Sequence, residues 1–200
     1  SKYSFLLLLI CFMPILIRPN YILDLWLGHA PKYAAEFLVM AISMSLVTSM
    51  DGTLNTAMQA TGKIKIFQIV VSVIMCCDIP LVYLLLTIGI EPYFATGVSI
   101  FTAVLCLFTK LFLLHKQIHY NLGHFLVSVV FRNFFVAAIV IMTFYHISKL
   151  FPETFVGFIM MSLLSFVLNG GLVFFIGIEY SERKMIVSIF RSGLKKMFVR

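Results

Sequence analysis

The chain has 200 residues, of which 62% are apolar and only 12% charged. That charge content is about half of what a soluble domain carries, and the apolar residues fall in blocks long enough to cross a hydrocarbon layer about 30 Å thick, so a soluble globular fold is excluded. The net charge of +7 sits in the connections between blocks and gives no support for nucleic-acid binding.

The chain starts with Ser1 and is already apolar by Phe5, with no small-residue cleavage site of a secretory signal. This start is expected to be a cut inside a longer protein. Six apolar segments follow, at Phe5–Ile17, Ala34–Met58, Ile66–Ile88, Tyr93–Phe112, Phe134–Phe151 and Phe155–Ile178. They are unbroken runs rather than short stretches of alternating polarity. In lipid each must satisfy its backbone internally, so each is predicted to be a helix. The fold class is all-α: a polytopic transmembrane helix bundle with six spans.

The connections carry turn chemistry. Arg18-Pro19-Asn20 ends the first segment, and Gly28-His29-Ala30-Pro31 leads into the second. Gly62 stands just past the second segment, where a left-handed residue is expected. Gly89-Ile90-Glu91-Pro92 joins the third to the fourth. With alternating sides, twelve basic residues fall on the side of the two chain ends, among them Lys2, Lys63, Lys65, Lys110, Lys116 and Arg132, against Arg18, Lys32 and Lys149 opposite. Basic residues collect on the cytoplasmic side, so both ends are expected there. The stretch from His115 to residue 133 reads as an interfacial connector. Residues 179–200 form a basic amphipathic tail, with Met185, Ile186, Ile189 and Phe190 on one face and Lys184, Arg191 and Lys195 on another. Lys184, Arg191, Lys195 and Lys196 are expected to hold it on anionic membrane lipids.

Several polar groups lie inside the apolar blocks. Asp51, Asn55 and Gln59 recur every four residues, and Thr48 joins them three positions before. The stripe avoids lipid and faces a bundle interior or a watery cavity; it either lines a substrate cavity or bonds neighbouring helices. Asp78 lies near mid-depth, and Pro80 cannot donate to the carbonyl of Cys76. A carboxyl beside a broken helix is a candidate ion or proton coupling site; the alternative is a structural hydrogen bond to a neighbouring helix. Asn169-Gly170-Gly171 suggests close helix packing. Cys11, Cys76, Cys77 and Cys106 all lie in apolar blocks without paired-ligand spacing, so no disulfide, metal or cofactor is expected. His115, His119 and His124 have no Cys or carboxylate at ligand spacing. No catalytic constellation is present; neither G-x-S-x-G nor H-E-x-x-H occurs.

Three stretches carry a resemblance. Tyr21-Ile-Leu-Asp-Leu-Trp-Leu-Gly28-His-Ala-Pro31-Lys-Tyr33-Ala is similar to a loop of bacterial polysaccharide and O-antigen flippases. Thr56-Ala-Met-Gln59-Ala-Thr-Gly62-Lys63-Ile-Lys65 resembles their cytoplasmic Q-A-T-G-K-I-K turn. Asp78-Ile-Pro80-Leu-Val-Tyr83-Leu-Leu-Leu86 resembles their next helix, where Asn-x-Pro-x-x-Tyr is usual and Asp78 is a departure. The resemblance is to lipid-linked oligosaccharide flippases of the multidrug/oligosaccharidyl-lipid/polysaccharide exporter superfamily. It covers the first four segments; the last two match only in hydropathy.

The resemblance implies two six-helix bundles around a central cavity. Residues 1–114 would be four helices of the second bundle, and residues 134–178 two further C-terminal helices. The six segments are then helices 9–14 of a fourteen-helix exporter, or the whole second bundle of a twelve-helix one. It implies a polyprenyl-diphosphate oligosaccharide as substrate, alternating access in the bacterial inner membrane, and a missing N-terminal bundle as partner. The diphosphate-binding cations are expected in that missing part, so the fragment alone should not transport. A cation-coupled exporter of drugs or organic cations is the alternative within the superfamily. A membrane-embedded glycosyltransferase or polymerase would need a large catalytic loop, and the outward loops are short.

Overall fold

The computed structural model describes residues 2–62, 64–118, 123, 126–152 and 154–173. Among these residues there is no strand. The helices are α1 (Lys2–Ile17), α2 (Pro19–Leu27), α3 (Ala34–Ala60), α4 (Ile64–Cys76), α5 (Asp78–Thr87), α6 (Phe94–Ile118), α7 (Arg132–Ser148) and α8 (Phe155–Leu172). A π-helical stretch, Leu126–Phe131, runs directly into α7. Five helical spans are long and apolar enough to cross a membrane, counting α4 and α5 as one, and a sixth follows if the bent pair α1–α2 is one span. The chain is a multi-pass α-helical membrane protein.

The helices form a row in space. α3 is central; α6 packs along one side of it and carries α4 and α5, while α1 packs on its other side. α7 and α8 dock on α1 and on each other. The core follows this order, from Phe5, Leu9 and Met13 of α1 through Met50, Leu54 and Met58 of α3 to Leu111 and Leu114 of α6. Val140, Phe144 and Met161 fill the α1–α7–α8 side. Outward faces are as apolar as the core: α5 has no buried residue, and its Ile79 and Ile88 are each 74% exposed. Such a surface is unfavourable in water but costs nothing against hydrocarbon.

The connections gather by end. The Tyr33 and Tyr93 rings lie 5.7 Å apart, and the Tyr33 hydroxyl is 3.5 Å from Glu91 Oε1. Glu91 beside Tyr93 pushes that phenol above its ordinary pKa. The Arg18 guanidinium donates to the carbonyls of Ser148 and Phe151 at 2.6 Å each and of Pro152 at 3.2 Å. The first, third and fifth connections therefore meet at one end of the bundle. The guanidinium thus satisfies the last carbonyl of α7, Ser148, and two carbonyls of the connection after it, and as a cation at a helix C-terminus it opposes the helix dipole.

Several expectations need correction. Arg18-Pro19-Asn20 follows the end of α1 but also opens a second helix, Pro19–Leu27, bent 78° from α1. Pro19 suits a first helical position, and Trp26, 80% exposed, gives α2 an outward apolar edge. Within the stretch read as an interfacial connector, α6 continues to Ile118 and α7 begins at Arg132. Asn133, at the end of that stretch, is fully buried. A Cβ on Gly170 or Gly171 would meet nothing within 4 Å, so these glycines do not admit a close neighbour; the buried residue there is Asn169. Gly62 does adopt the left-handed conformation, with φ +72°. Residues 179–200, with Lys184, Arg191, Lys195 and Lys196, lie outside the described residues, as do His119 and His124.

Candidate functional site

α3 and α6 run parallel at a constant offset. Tyr33 meets Tyr93 at the Arg18 end, and further along Asp51 meets Lys110. The sequence count treated Lys110 as a membrane-surface cation. It is instead 3% exposed, and its Nζ donates to Asp51 Oδ2 in an ion pair between the two helices. A lysine at that position cannot reach water, and the nearest anion takes its charge. The Phe67 ring of α4 lies 5.7 Å from the same Nζ.

Asp51 is asymmetric. Oδ2 accepts from Lys110 and from Asn55 Nδ2 at 3.2 Å, whereas Oδ1 is buried and has no partner. Asn55 therefore supports Asp51 along its own helix rather than lining the cavity. Gln59, one turn on, is exposed and does not join the site. Thr48 lines the cavity wall, but its hydroxyl bonds the carbonyls of Met44 and Ser45.

Asp78 begins α5, where the proline breaks the ladder. Cys77 is a turn residue between α4 and α5, as Pro80, lacking an N–H, requires. From there the carboxylate reaches α6. Ser99 Oγ donates to Oδ2 at 2.8 Å, and Thr102 Oγ1 to Oδ1 at 3.0 Å. The Thr102 hydroxyl is also 3.0 Å from the Val98 carbonyl. One hydroxyl proton has two acceptors, so the arrangement accepts either protonation state. With Asp78 ionised, Thr102 donates to it. With Asp78 protonated, the carboxyl donates to Thr102, whose own proton turns back to Val98.

The two carboxylates belong to one cavity of about 250 Å³ between α3, α4–α5 and α6. Its polar lining is Asp51 and Thr48 of α3, Asp78 of α5, and Ser99 and Thr102 of α6. Met44, Val47, Met75, Ala103 and Cys106 supply the rest of the wall. An apolar cavity of about 880 Å³ lies nearer the Arg18 end, walled by Leu81, Leu85, Ile88, Phe94 and Phe101. Among the described residues no group of three metal-ligating side chains comes together.

Sequence reasoning singled out Asp51 and Asp78 separately and missed Lys110. A signal was present: Ser99, Thr102, Ala103, Cys106 and Lys110 recur at three- and four-residue steps and form one stripe of small and polar residues on a mainly apolar helix. The Arg18 contacts had no comparable signal. No family model matches the chain, and the comparisons with curated proteins and with solved structures gave no match.

Proposed function

We propose that this chain is part of an alternating-access exporter that flips polyprenyl-diphosphate-linked oligosaccharides across the bacterial inner membrane, for polysaccharide or O-antigen synthesis. The observation that carries the transport reading is the cavity between α3, α4–α5 and α6, whose wall carries two carboxylates, one of them paired with a buried lysine, within lipid-spanning helices. Ionisable groups at such depth are costly and mark substrate or ion pathways. The substrate class rests on the resemblance of the stretches 21–34, 56–65 and 78–86 to flippase loops and helices. A polar, anionic head group cannot cross hydrocarbon unaided; a polar cleft carries it while the lipid tail stays in the bilayer. The end of the bundle with Lys65, Lys116 and Arg132 faces the cytoplasm, because basic residues gather there.

One observation favours a second reading, a cation-coupled exporter of organic cations: the charged side chains on the cavity wall are both carboxylates. Reconstituting the complete polypeptide in vesicles separates the two. A flippase makes a fluorescent lipid-linked oligosaccharide in the inner leaflet accessible to an impermeant quencher, above the rate in protein-free vesicles. Transport of an organic cation such as ethidium, with no lipid movement, would replace the first reading with the second.

A further inference from the structure

We infer that α2 is a membrane-surface helix, with Ile22, Leu25 and Trp26 seated in the boundary between headgroups and acyl chains of the leaflet at the Arg18 end. The partner is the lipid surface itself. The inference stands apart from what the protein carries and from which end meets the cytoplasm.

The chain enters and leaves α2 at the same end of the bundle. Arg18, just before it, donates to the carbonyls of Ser148, Phe151 and Pro152. Tyr33, in the connection after it, meets Tyr93 and Glu91. α2 has nine residues and so rises about 14 Å, less than half of a hydrocarbon layer. It does not cross. α1 packs on the spanning helix α3, and α2 is turned 78° from α1. A helix turned so far from the spans lies close to the membrane plane.

The two sides of α2 need different solvents. Asn20 and Asp24 stand one turn apart on one face, and both are exposed. Ile22 is two positions from each, and Trp26 is two positions from Asp24. Two positions turn a helix by about 200°, so Ile22 and Trp26 share the opposite side, with Leu25 beside Trp26. Leu25 and Trp26 are exposed, whereas Leu23 is buried and the Tyr21 ring lies 5.5 Å from that of Phe158 in α8. A carboxylate is very costly in hydrocarbon, and an exposed indole beside a leucine is unfavourable in water. A helix with its side chains is about 10–12 Å across. The membrane boundary supplies both media over that width. An indole, apolar with one N–H donor, suits this depth, and Tyr33 and Tyr93 stand at the same end.

Charge decides the lipid chemistry. Residues 19–27 hold one carboxylate and no lysine or arginine, and the Arg18 guanidinium is already on three carbonyls. Insertion of apolar side chains therefore carries the attachment, and anionic headgroups are not required. Held in this way, α2 fixes the depth of the end of α1 and, through Arg18, of the α7–α8 connection.

The test uses the complete protein in phosphatidylcholine nanodiscs. Asn20→Cys, Asp24→Cys, Leu25→Cys and Trp26→Cys are made one at a time in a background without other cysteines, and each carries a nitroxide. Collision with oxygen, which concentrates in lipid, is compared with collision with a water-soluble nickel chelate. The oxygen-to-nickel ratio is expected to be several-fold higher at residues 25 and 26 than at 20 and 24. Because labelling removes the native side chain, Trp26 is also read directly, as the emission lost in Trp26→Phe. That emission is expected to be quenched more by lipids brominated near the glycerol than by lipids brominated at the chain ends or by aqueous iodide. Both patterns should persist when phosphatidylglycerol replaces part of the phosphatidylcholine. Nickel-favoured collision at 25 and 26 puts this face in water and overturns the proposal. Exclusion of both reagents there, without bromine quenching, means that another protein surface covers the face, and overturns it equally. A pattern seen with phosphatidylglycerol alone overturns it as well, since the attachment would then be electrostatic.

Discussion

Asp78 is held by hydroxyls, and the kind of partner decides what its replacement should do. Ser99 and Thr102 do not depend on it for their own hydrogen bonding, because a helix hydroxyl can turn back to its own backbone, as Thr102 already can to Val98. Asp78→Leu should therefore cost only about 1 kcal/mol, the low end for a lost buried hydrogen bond. Asp78→Asn keeps size and an acceptor and removes only the ability to ionise. It is expected to leave membrane level and unfolding temperature unchanged while altering how export depends on pH or sodium. Identical export profiles for Asp78→Asn and the wild type, across pH and sodium concentration, would make Asp78 a structural hydrogen-bonding group. Asp78 was legible in the sequence because a carboxyl two residues before a proline, deep in an apolar run, has few explanations. Its partners were not, since Ser99 and Thr102 lie on another helix whose rotation the sequence does not show. The same gap hid the pairing of Asp51 with Lys110, which depends on the register between two helices.

Spans are legible in such a chain, and breaks partly so. All six apolar segments appear as helix, with the last described only to Val173, because hydropathy measures the one property the membrane demands. Pro80 marked the break at Cys77 correctly. The helix at 19–27 was hidden because Pro19 and Asn20 also suit a turn, and nothing local distinguishes a turn from a helix lying across the bundle end. Glycines were least legible, and Gly157 and Gly170 show why. Both lie in α8, but Gly157 sits in its first turn, where its N–H donates to the N-cap Thr154 Oγ1 at 3.2 Å. A Cβ there would meet the Pro152 carbonyl at 2.4 Å, whereas one on Gly170 would meet nothing within 4 Å. Gly157→Ala should lower the unfolding temperature by displacing the loop that Arg18 also grips. Gly170→Ala should be neutral or stabilise by up to about 1 kcal/mol, the helix-propensity gain of Ala over Gly. Thermal unfolding of the two variants in the same detergent checks this; equal loss in both would mean that the 152–157 corner is not the constraint.

At the scale of the whole molecule, relative sidedness and absolute orientation come from different sources. Arg18 on the α7–α8 connection, and Tyr33 with Glu91, bring three connections to one end. Lys65, His115, Lys116 and Arg132 belong to the other. The proposal for which end meets the cytoplasm rests on charge alone, and the burial of Lys110 changes that count. A lysine paired with Asp51 inside the bundle is not a surface charge, so twelve against three becomes eleven against three. The bias survives the correction, because the positive-inside preference is set by residues flanking the spans. Cysteines placed at Lys32 or Glu91, in a background without Cys11, Cys76, Cys77 and Cys106, should then react with an impermeant maleimide added outside intact cells. A cysteine at Lys116 should react only after the membrane is opened. Lys32 and Glu91 are tied to one end through Tyr33, so they must label together in either orientation. Labelling of Lys116→Cys alone from outside would invert the protein, and would move the Asp51 end of the cavity from the cytoplasmic half of the membrane to the outer half.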